Sequence, residues 1–262
     1  MSNQAFILDN HSSYVDRYGL LRVVGEIENT GDADIESIRI TANFYDLHGS
    51  IVAVGHTSAM LHTLPPQTRS PFKVTLAGSS PDLISRIDHY TLNATCQESK
   101  TKLARTLLLL SVSNYTDRYG LLHIVGELQN NGTRMSTFTE VIATCYDENS
   151  KVVAANSGLA NPQNLDPGEK ATFEIIVTDE NIVPYEIVII DKAIPANISR
   201  YEVMIVSKDA VLVPEFSSIP AVMFFVCLLT LTILGIGTRL KMRTDSLPHF
   251  REIALPLHYP PT

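Results

Sequence analysis

The feature that most constrains this chain is a long internal repeat. The segment YVDRYGLLRVVGEIENTG at residues 14–31 returns as YTDRYGLLHIVGELQNNG at residues 115–132, an offset of 101 residues. The offset persists downstream, where Tyr45 matches Tyr146. In a chain of 262 residues, such a period predicts two copies of one domain rather than one large fold.

Both copies carry the residue pattern of short, half-buried strands. Apolar and polar residues alternate over residues 38–45, and the second copy keeps the apolar positions as Val141, Ala143 and Cys145. Clusters of Gly, Pro, Asn and Asp separate about six such strands in each copy. The pattern predicts an all-β protein with two tandem antiparallel β-sandwiches, at residues 1–97 and 106–208, placed end to end.

Charge and motif content narrow the class of function. The formal net charge is −8, and the only basic cluster is short and close to the C-terminus, which argues against a nucleic-acid partner. The sequence has no Gly-x-Ser-x-Gly, His-Glu-x-x-His, Walker or Cys-x-x-Cys motif. We therefore predict that the protein is not an enzyme and uses no cofactor.

The three cysteines do not suggest a disulfide framework. Cys145 takes the place of Phe44, so we expect it to be a small buried apolar residue. Cys227 lies in an apolar stretch, and Cys96 has no counterpart in the second copy. A Cys96–Cys145 bridge is the less favoured alternative.

Three histidines of the first copy, His48, His56 and His62, lie within fifteen residues on a predicted turn and loop. At the matching positions the second copy has Asn149, Ser157 and Gln163. We interpret them as scattered surface histidines and predict no metal site, with a surface copper or zinc site as the alternative.

The best-matched part of the repeat is Asp16-Arg17-Tyr18-Gly19 and its copy Asp117-Arg118-Tyr119-Gly120. It predicts a turn held by Asp side-chain hydrogen bonds, with an exposed ion pair worth ~0–1 kcal/mol. A duplicated functional Asp–Arg pair is the alternative. The repeated tyrosines are expected to be half-buried packing residues: Tyr18, Tyr119, Tyr45 and Tyr146.

Nine positions in each copy resemble the FxLYD domain family. The pattern is a strand ending in Gly-Glu-x-x-Asn, a strand ending in Phe/Cys-Tyr-Asp, and Leu-x-Pro before a Phe-led strand. The first copy has Gly25, Glu26, Asn29, Phe44, Tyr45, Asp46, Leu64, Pro66 and Phe72, and the second has Gly126, Glu127, Asn130, Cys145, Tyr146, Asp147, Leu165, Pro167 and Phe173. The resemblance covers most of residues 5–208. It implies an immunoglobulin-like fold on bacterial and archaeal surface proteins, and no reaction or shared binding site.

A segment of 23 uncharged residues, 216–238, follows the second copy. About 20 apolar residues in a helix span the ~30 Å hydrocarbon core of a bilayer, so the segment predicts one transmembrane helix with membrane lipid as its partner. A buried core helix is the alternative. Arg239, Lys241 and Arg243 come next, which predicts that the β domains are extracellular and that residues 239–262 are cytoplasmic.

Five Asn-x-Ser/Thr sequences are candidate glycosylation sites, which fits an exterior location, although any single one can arise by chance. They are Asn10, Asn93, Asn114, Asn131 and Asn197.

Pro214-Glu215-Phe216, followed by the apolar segment and the basic cluster, resembles the archaeal C-terminal sorting and anchoring signal. Residues 244–262 continue past the basic cluster, so we expect a retained helix and a disordered tail. The first residues lack the pattern of a secretory leader, so either a leader lies upstream of Met1 or the helix itself directs insertion.

These features predict a single-pass surface protein that acts as an interaction or spacer module with a protein partner. A receptor or accessory subunit of a membrane complex, with residues 244–262 contacting the partner, is the alternative from another class; an enzyme is the least favoured. We expect binding to depend on what differs between the copies, namely the His-bearing loop and the insertion at residues 189–197.

Overall fold

The computed structural model describes residues 5–16, 18–100, 105–178, 198–207 and 211–212. Over these residues the protein is all-β, as predicted, and its strands pair in antiparallel sheets. One short helix, α1 at Pro81–Arg86, interrupts this pattern. The predicted transmembrane helix, the tail and the insertion at residues 189–197 lie outside the described residues.

The first copy forms two four-stranded sheets. The first sheet is centred on β3 (Leu21–Asn29), which pairs with β7 (Arg69–Thr75) on one edge and with β1 (Ala5–Ile7) and β2 (Ser12–Val15) on the other. The second sheet is centred on β4 (Ile35–Tyr45), which pairs with β8 (His89–Glu98) and, on the other edge, with β5 (Ile51–Ser58) and β6 (Thr63–Leu64).

The second copy repeats the pairing of the central strands but joins its two halves differently. Strand β10 (Leu122–Asn130) lies between β9 (Leu107–Thr116) and β13 (Lys170–Val177), and β11 (Glu140–Tyr146) lies between β12 (Val152–Asn161) and β14 (Arg200–Val206). The end of β12 also pairs with β13, which joins the two halves into one seven-stranded sheet that ends at β15 (Val211–Leu212).

The predicted alternation of side chains builds a hydrophobic core in each copy. Phe44 and Phe72 are fully buried in the first core, and Cys145 and Phe173 take the equivalent places in the second. Gly25 leaves room for the ring of Phe72, because an added Cβ would come within 2.8 Å of that ring. Cys96 is an unbridged, half-buried thiol beside the first core, so no Cys96–Cys145 disulfide is present.

The repeated asparagine at the end of β3 and of β10 ties each core to its turns. The amide nitrogen of Asn29 donates to the backbone oxygens of Ala33 and Leu64, both at 2.8 Å, and its oxygen accepts from the Gly31 N–H at 3.0 Å. Asn130 makes the same three hydrogen bonds. A fully buried amide is tolerated here because all three of these hydrogen bonds are made.

Two local features differ from the sequence prediction. Helix α1 was not predicted, although Ser80 accepts from the Leu83 N–H as an N-cap and Pro81 begins the helix. In addition to about six strands in each copy, the structure shows a difference that the sequence did not predict: the segment equivalent to β9 is divided into β1 and β2 in the first copy, with a break around Asp9 and Asn10.

The hairpin turn after each central strand has the same Asp-held geometry but a different residue in the left-handed position. Asp46 Oδ1 accepts from the backbone N–H groups of His48 and Ser50, and Gly49 has φ 76°. In the second copy the left-handed position is Ser150, with φ 61°. A residue with a Cβ is strained there, whereas glycine is not.

We predict that Ser150→Gly raises the free energy of unfolding by about 0.5–1 kcal/mol, because glycine adopts this φ without steric strain. The reciprocal variant Gly49→Ser is expected to lower it by a similar amount. Urea denaturation followed by circular dichroism measures both, and a loss of stability in Ser150→Gly would contradict the prediction.

Candidate functional site

The two copies contact each other through unlike sheet faces. The first copy contributes the outer face of its β3 sheet, and the second contributes the outer face of β11, β12 and β14. At the centre, Val24, Tyr146 and Val152 form a buried hydrophobic cluster, against which Tyr14 packs. We call this contact the junction. It corrects the expectation that the copies are merely placed end to end.

Backbone and side-chain hydrogen bonds attach the break between β1 and β2 to the junction. The Val152 N–H donates to the Asn10 oxygen at 2.7 Å, and the Ser12 hydroxyl donates to the Val152 oxygen. The Lys151 ammonium donates to the Asp9 oxygen. Strand β1–β2 is therefore interrupted where the second copy bonds to its backbone, which explains why β9 is continuous.

The junction has a buried polar centre. The Tyr146 hydroxyl donates to Glu26 Oε1 at 2.8 Å, and the Asn10 amide nitrogen donates to Glu26 Oε2 at 2.6 Å. The guanidinium of Arg200 lies 3.7 Å from the centroid of the Tyr146 ring and donates to Glu202 Oε1 at 2.6 Å. Glu26 is 2% exposed, whereas its counterpart Glu127 is exposed, so the junction alone accounts for this burial.

Burial changes the protonation of this centre. Loss of solvent raises the pKa of Glu26, and the hydrogen bonds from Tyr146 and Asn10 offset this only in part. Burial, together with the nearby carboxylates of Glu26 and Glu202, also raises the pKa of Tyr146, which therefore remains a hydrogen-bond donor. The Asn10 Oδ1 atom has no hydrogen-bond partner among the described residues.

Among the described residues, most side chains on the matching sheet face of the second copy are exposed. We call it the open face: the outer side of β9, β10 and β13, which carries Ser113, Tyr115, His123, Val125, Glu127, Glu174 and Ile176. Tyr115 and Ile176 are 48% and 41% exposed, so the surface is partly apolar.

A compact group of titratable side chains occupies one end of the open face. His123 Nδ1 lies 2.8 Å from Glu174 Oε1, and its Nε2 lies 3.3 Å from Asp117 Oδ2. The Tyr115 hydroxyl donates to Glu174 Oε1 at 2.9 Å, and its ring stacks on the imidazole with centroids 4.6 Å apart. Burial lowers the pKa of His123, but the hydrogen bonds with Glu174 and Asp117 outweigh it and raise the pKa above 6.5.

The first copy fills the position of His123 with a permanent cation. Arg22 Nε donates to Asp16 Oδ2 at 2.8 Å, and its Nη1 donates to the Thr75 hydroxyl. The His123 group, which consists of His123, Glu174, Asp117 and Tyr115, therefore occupies the place of the permanent Arg22–Asp16 ion pair, but its charge depends on pH. It lies on a sheet surface. A pocket of about 480 Å³ lies elsewhere among the described residues, between the Asp16 turn and α1, and is lined by Val15, Tyr18, Gly19, Ser79, Pro81, Ile84 and Ser85.

The duplicated Asp turns are structural, as favoured from the sequence. Asp16 Oδ1 accepts from the Tyr18 and Leu20 N–H groups, each at 2.8 Å, and Asp117 makes the same two bonds to Tyr119 and Leu121. Arg17 lies outside the described residues. Arg118 lies over the ring of Tyr119 rather than on Asp117.

The prediction for the tyrosines was wrong at three of four positions. Tyr18 and Tyr119 are each 65% exposed, because their backbone N–H groups bond to the Asp turn and their side chains point outward. Tyr146 is fully buried by the junction. Only Tyr45 is half-buried, stacked on His89 with ring centroids 5.0 Å apart.

The histidines considered for a metal site are exposed and lie on different elements. His56 belongs to β5 rather than to a loop, and its ring bonds to the Thr41 hydroxyl. His48 lies in the turn before β5, and His62 lies before β6. Within the part of the chain that the structure describes, no group of three or more His, Cys, Asp or Glu residues is arranged to hold a metal ion.

The candidate glycosylation sites differ in accessibility. Asn93 on β8 and Asn131 in the repeated turn are exposed. Asn114 is exposed and donates to the Tyr201 hydroxyl at 3.0 Å. The Asn10 amide nitrogen, the atom that would carry a glycan, is hydrogen-bonded to Glu26 in the junction. Asn197 lies outside the described residues.

The residues predicted for sorting and topology also lie outside the described residues: Pro214, Glu215, Phe216, Arg239, Lys241 and Arg243. Among the residues that are described, no helix has the length and apolar character needed to cross a bilayer.

Neither the junction nor the His123 group was predicted from the sequence. A signal was present in the outward-facing positions of β11 and β14, where Ile142, Met204 and Val206 replace Thr41, Asn93 and Thr95 of the first copy. All three apolar residues join the hydrophobic cluster of the first copy.

Comparisons with known proteins leave the family open. No family model matches the chain, and no curated protein matches it. Red sea bream transglutaminase is similar over 80% of this chain and 30% of its own, at 11% identity and a TM-score of 0.24. Exo-chitosanase CsxA of Amycolatopsis orientalis (11% identity, 79% of this chain and 26% of its own, TM-score 0.25) is comparable. A Bacteroides uniformis β-glucuronidase has 17% identity over 80% of this chain and 27% of its own, at a TM-score of 0.25. The chain thus spans less than a third of these proteins, and likeness at this level carries no argument about function.

We predict that Glu26→Gln is neutral or stabilising at pH 7, by up to about 1 kcal/mol. The amide oxygen keeps the bond from Tyr146, the amide nitrogen can donate to Asn10 Oδ1 once the Asn10 amide rotates, and no charge is buried. Because the folded pKa of Glu26 is raised, the wild type should lose stability as pH rises through that pKa, and the variant should not. Urea denaturation between pH 4 and 8 measures this. Glu127→Gln, the exposed counterpart, should change stability by less than about 0.5 kcal/mol.

We predict a second pH effect at His123. Its folded pKa is raised, so the stabilisation is fully present below the unfolded value of 6.5 and is lost as pH rises through the folded pKa. His123→Arg, which copies the first repeat, should abolish this loss. Thermal unfolding from pH 5.5 to 8.5 measures it, and an unchanged pH profile in the variant would contradict the assignment.

Proposed function

We propose that the protein is a membrane-anchored extracellular interaction or spacer protein that presents two immunoglobulin-like domains at an archaeal cell surface. The observation that carries this proposal is the junction. Separating the copies would expose Val24, Tyr146 and Val152 and would hydrate a buried Glu26. Two domains held together in this way suit a spacer, because they resist hinging between them.

The resemblance to FxLYD domains supports the immunoglobulin-like part of the proposal. Its motif residues have structural roles in the described fold: Gly25 lies under Phe72, Asn29 bonds to the backbone at the end of β6, and Asp46 holds a hairpin turn. Two sheets enclose the core of the first copy, and one continuous seven-stranded sheet encloses the core of the second, which is consistent with a sandwich-like fold. A motif made of such residues specifies a fold and does not indicate a reaction.

We also infer that the protein is not an enzyme. The compact group of His123, Glu174, Asp117 and Tyr115 lies on a sheet surface, where the first copy has the ion pair of Arg22 with Asp16. Catalysis generally uses a recess that excludes water around the reacting groups. The group therefore suits stability and surface recognition better than a reaction.

The membrane and surface parts of the proposal are supported by sequence. The uncharged residues 216–238 are long enough to span a bilayer, and Arg239, Lys241 and Arg243 follow them. The exposed positions of Asn93, Asn114 and Asn131 suit glycosylation in the cell exterior.

A second candidate is an accessory subunit of a membrane complex. The open face favours it, because Tyr115 and Ile176 leave apolar area uncovered beside the charged His123 group. Residues 244–262 would then contact the cytoplasmic or membrane partner.

Protease treatment of intact archaeal cells that express the full chain tests the location. We expect the β domains to be digested while an epitope at the C-terminus survives, because only the domains lie outside. Deleting residues 216–238 should release the protein from the membrane fraction. Domains that survive protease in intact cells would overturn the surface location.

Deleting residues 244–262 separates the two candidates. Surface display should remain intact for a spacer or interaction module. Loss of a membrane protein that co-purifies with the full chain would instead favour the accessory-subunit role.

A further inference from the structure

We propose that the chain associates head to tail with a second copy of itself by repeating the junction between molecules. The open face of one molecule would dock on the outer face of β4, β5 and β8 of the next, which we call the receiving face. This inference deepens the proposed interaction role by naming a partner. It rests on that role but not on the membrane location.

The open face keeps the residues with which the first copy makes the junction. Ser12, Tyr14, Val24 and Glu26 correspond to Ser113, Tyr115, Val125 and Glu127. The strand register is also the same: Ser113 pairs with Val125 as Ser12 pairs with Val24. The four side chains therefore have the same relative placement on both faces.

The receiving face keeps the central residues of the other side. Tyr146, Val152 and Arg200 of the junction correspond to Tyr45, Ile51 and His89. Ile51 is 55% exposed, whereas its counterpart Val152 is fully buried in the junction. The His89 ring lies on Tyr45 at 7° from parallel, as the Arg200 guanidinium lies on Tyr146.

The central residues of the open face and those of the receiving face are complementary in the same way as their counterparts in the junction. Val125 would meet Tyr45 and Ile51 of the second copy, and the Tyr45 hydroxyl would donate to Glu127. The junction buries the corresponding group with Tyr146 bonded to Glu26 at 2.8 Å. The central side chains can therefore meet as they do in the junction, whereas the backbone bonds at Asn10 are not repeated, because β9 is continuous.

The periphery of the receiving face is more polar than the periphery of the junction, which weakens the contact between molecules. Ile142, Met204 and Val206 are buried around the junction, whereas Thr41, Asn93 and Thr95 stand at those positions on the receiving face. The junction also forms within one chain, at high effective concentration. We therefore expect association between molecules to be weak and dependent on concentration.

Because the contact joins unlike faces, it does not close on itself in a pair. Each added molecule leaves one open face and one receiving face, so association would produce linear chains. Asn93, a candidate glycosylation site, lies within the receiving face. A glycan at Asn93 would obstruct docking, so the degree of association would depend on its occupancy.

The test uses complementary surface variants of the full chain in a non-ionic detergent, produced without glycosylation. Val125→Asp disables the open face, and Ile51→Asp disables the receiving face, while residues 213–262 are the same in both. Sedimentation velocity, from low micromolar to near-millimolar protein, measures the species present. Thermal unfolding confirms that each variant is folded.

The wild type should form species that grow with concentration, and each variant alone should remain monomeric. An equimolar mixture of the two variants should form a 1:1 dimer and nothing larger, because one intact face of each kind remains. Glu127→Lys is a milder change at an exposed position and should weaken association at least about 10-fold. It replaces Val125→Asp as the open-face variant if Val125→Asp does not fold.

Three results would overturn the proposal. They are a wild type that stays monomeric at every concentration, single variants that associate like the wild type, and a mixture that forms no dimer. None of them bears on whether the chain is displayed at a cell surface, so they are distinguishable from failure of the proposed function.

Discussion

The hydrogen bond from the Tyr146 hydroxyl to Glu26 is the contact on which the arrangement of the two copies depends. It lies at the centre of the junction, where a carboxyl group and a phenol have both left water. A buried polar group is costly unless it is paired, so Glu26 is stable there only when Tyr146 and Asn10 are in place. The bond thus specifies how the copies meet, while the surrounding apolar side chains supply most of the attraction.

This contact explains how two copies of one fold have diverged. Strand β3 is buried on both faces, whereas its counterpart β10 is buried mainly on one. Of the other pair of counterparts, β11 is buried on both faces and β4 on one. Each copy has adapted the sheet that the other covers. Where the first copy has Thr41 and Asn93, the second copy has Ile142 and Met204, because the outer face of β11 and β14 does not contact water.

Much of the fold was predictable from the sequence. Alternation over residues 38–45 identified β4, the turn residues Asp46 and Gly49 identified the hairpin, and the 101-residue offset identified two copies. These signals are local or periodic. Helix α1 was missed because six residues are too short to show a helical period, even with Ser80 and Pro81 at its start.

The candidate site was less predictable because it depends on which outer faces meet. Alternation shows that Glu26 and Tyr146 point away from their own cores, and solvent is then the simplest expectation. The exposed Tyr18 and Tyr119 show the opposite error, since an aromatic residue in a turn follows its backbone hydrogen bonds rather than its hydrophobicity. Comparing the outward-facing residues of the copies was the available signal, and it lies in the substitutions at positions 142, 204 and 206.

The two-sided burial of β3 has a consequence for how the protein is made. The first copy emerges from the ribosome about 100 residues before the strands that cover Val24, a delay of roughly 5–20 s at ordinary synthesis rates. During that time the nascent domain presents an apolar patch with Glu26 at its centre. A hydrated carboxylate keeps such a patch soluble and discourages contact with other nascent chains. Until the second copy docks, Glu26 is a hydrated carboxylate, and only then does it become a buried partner of Tyr146.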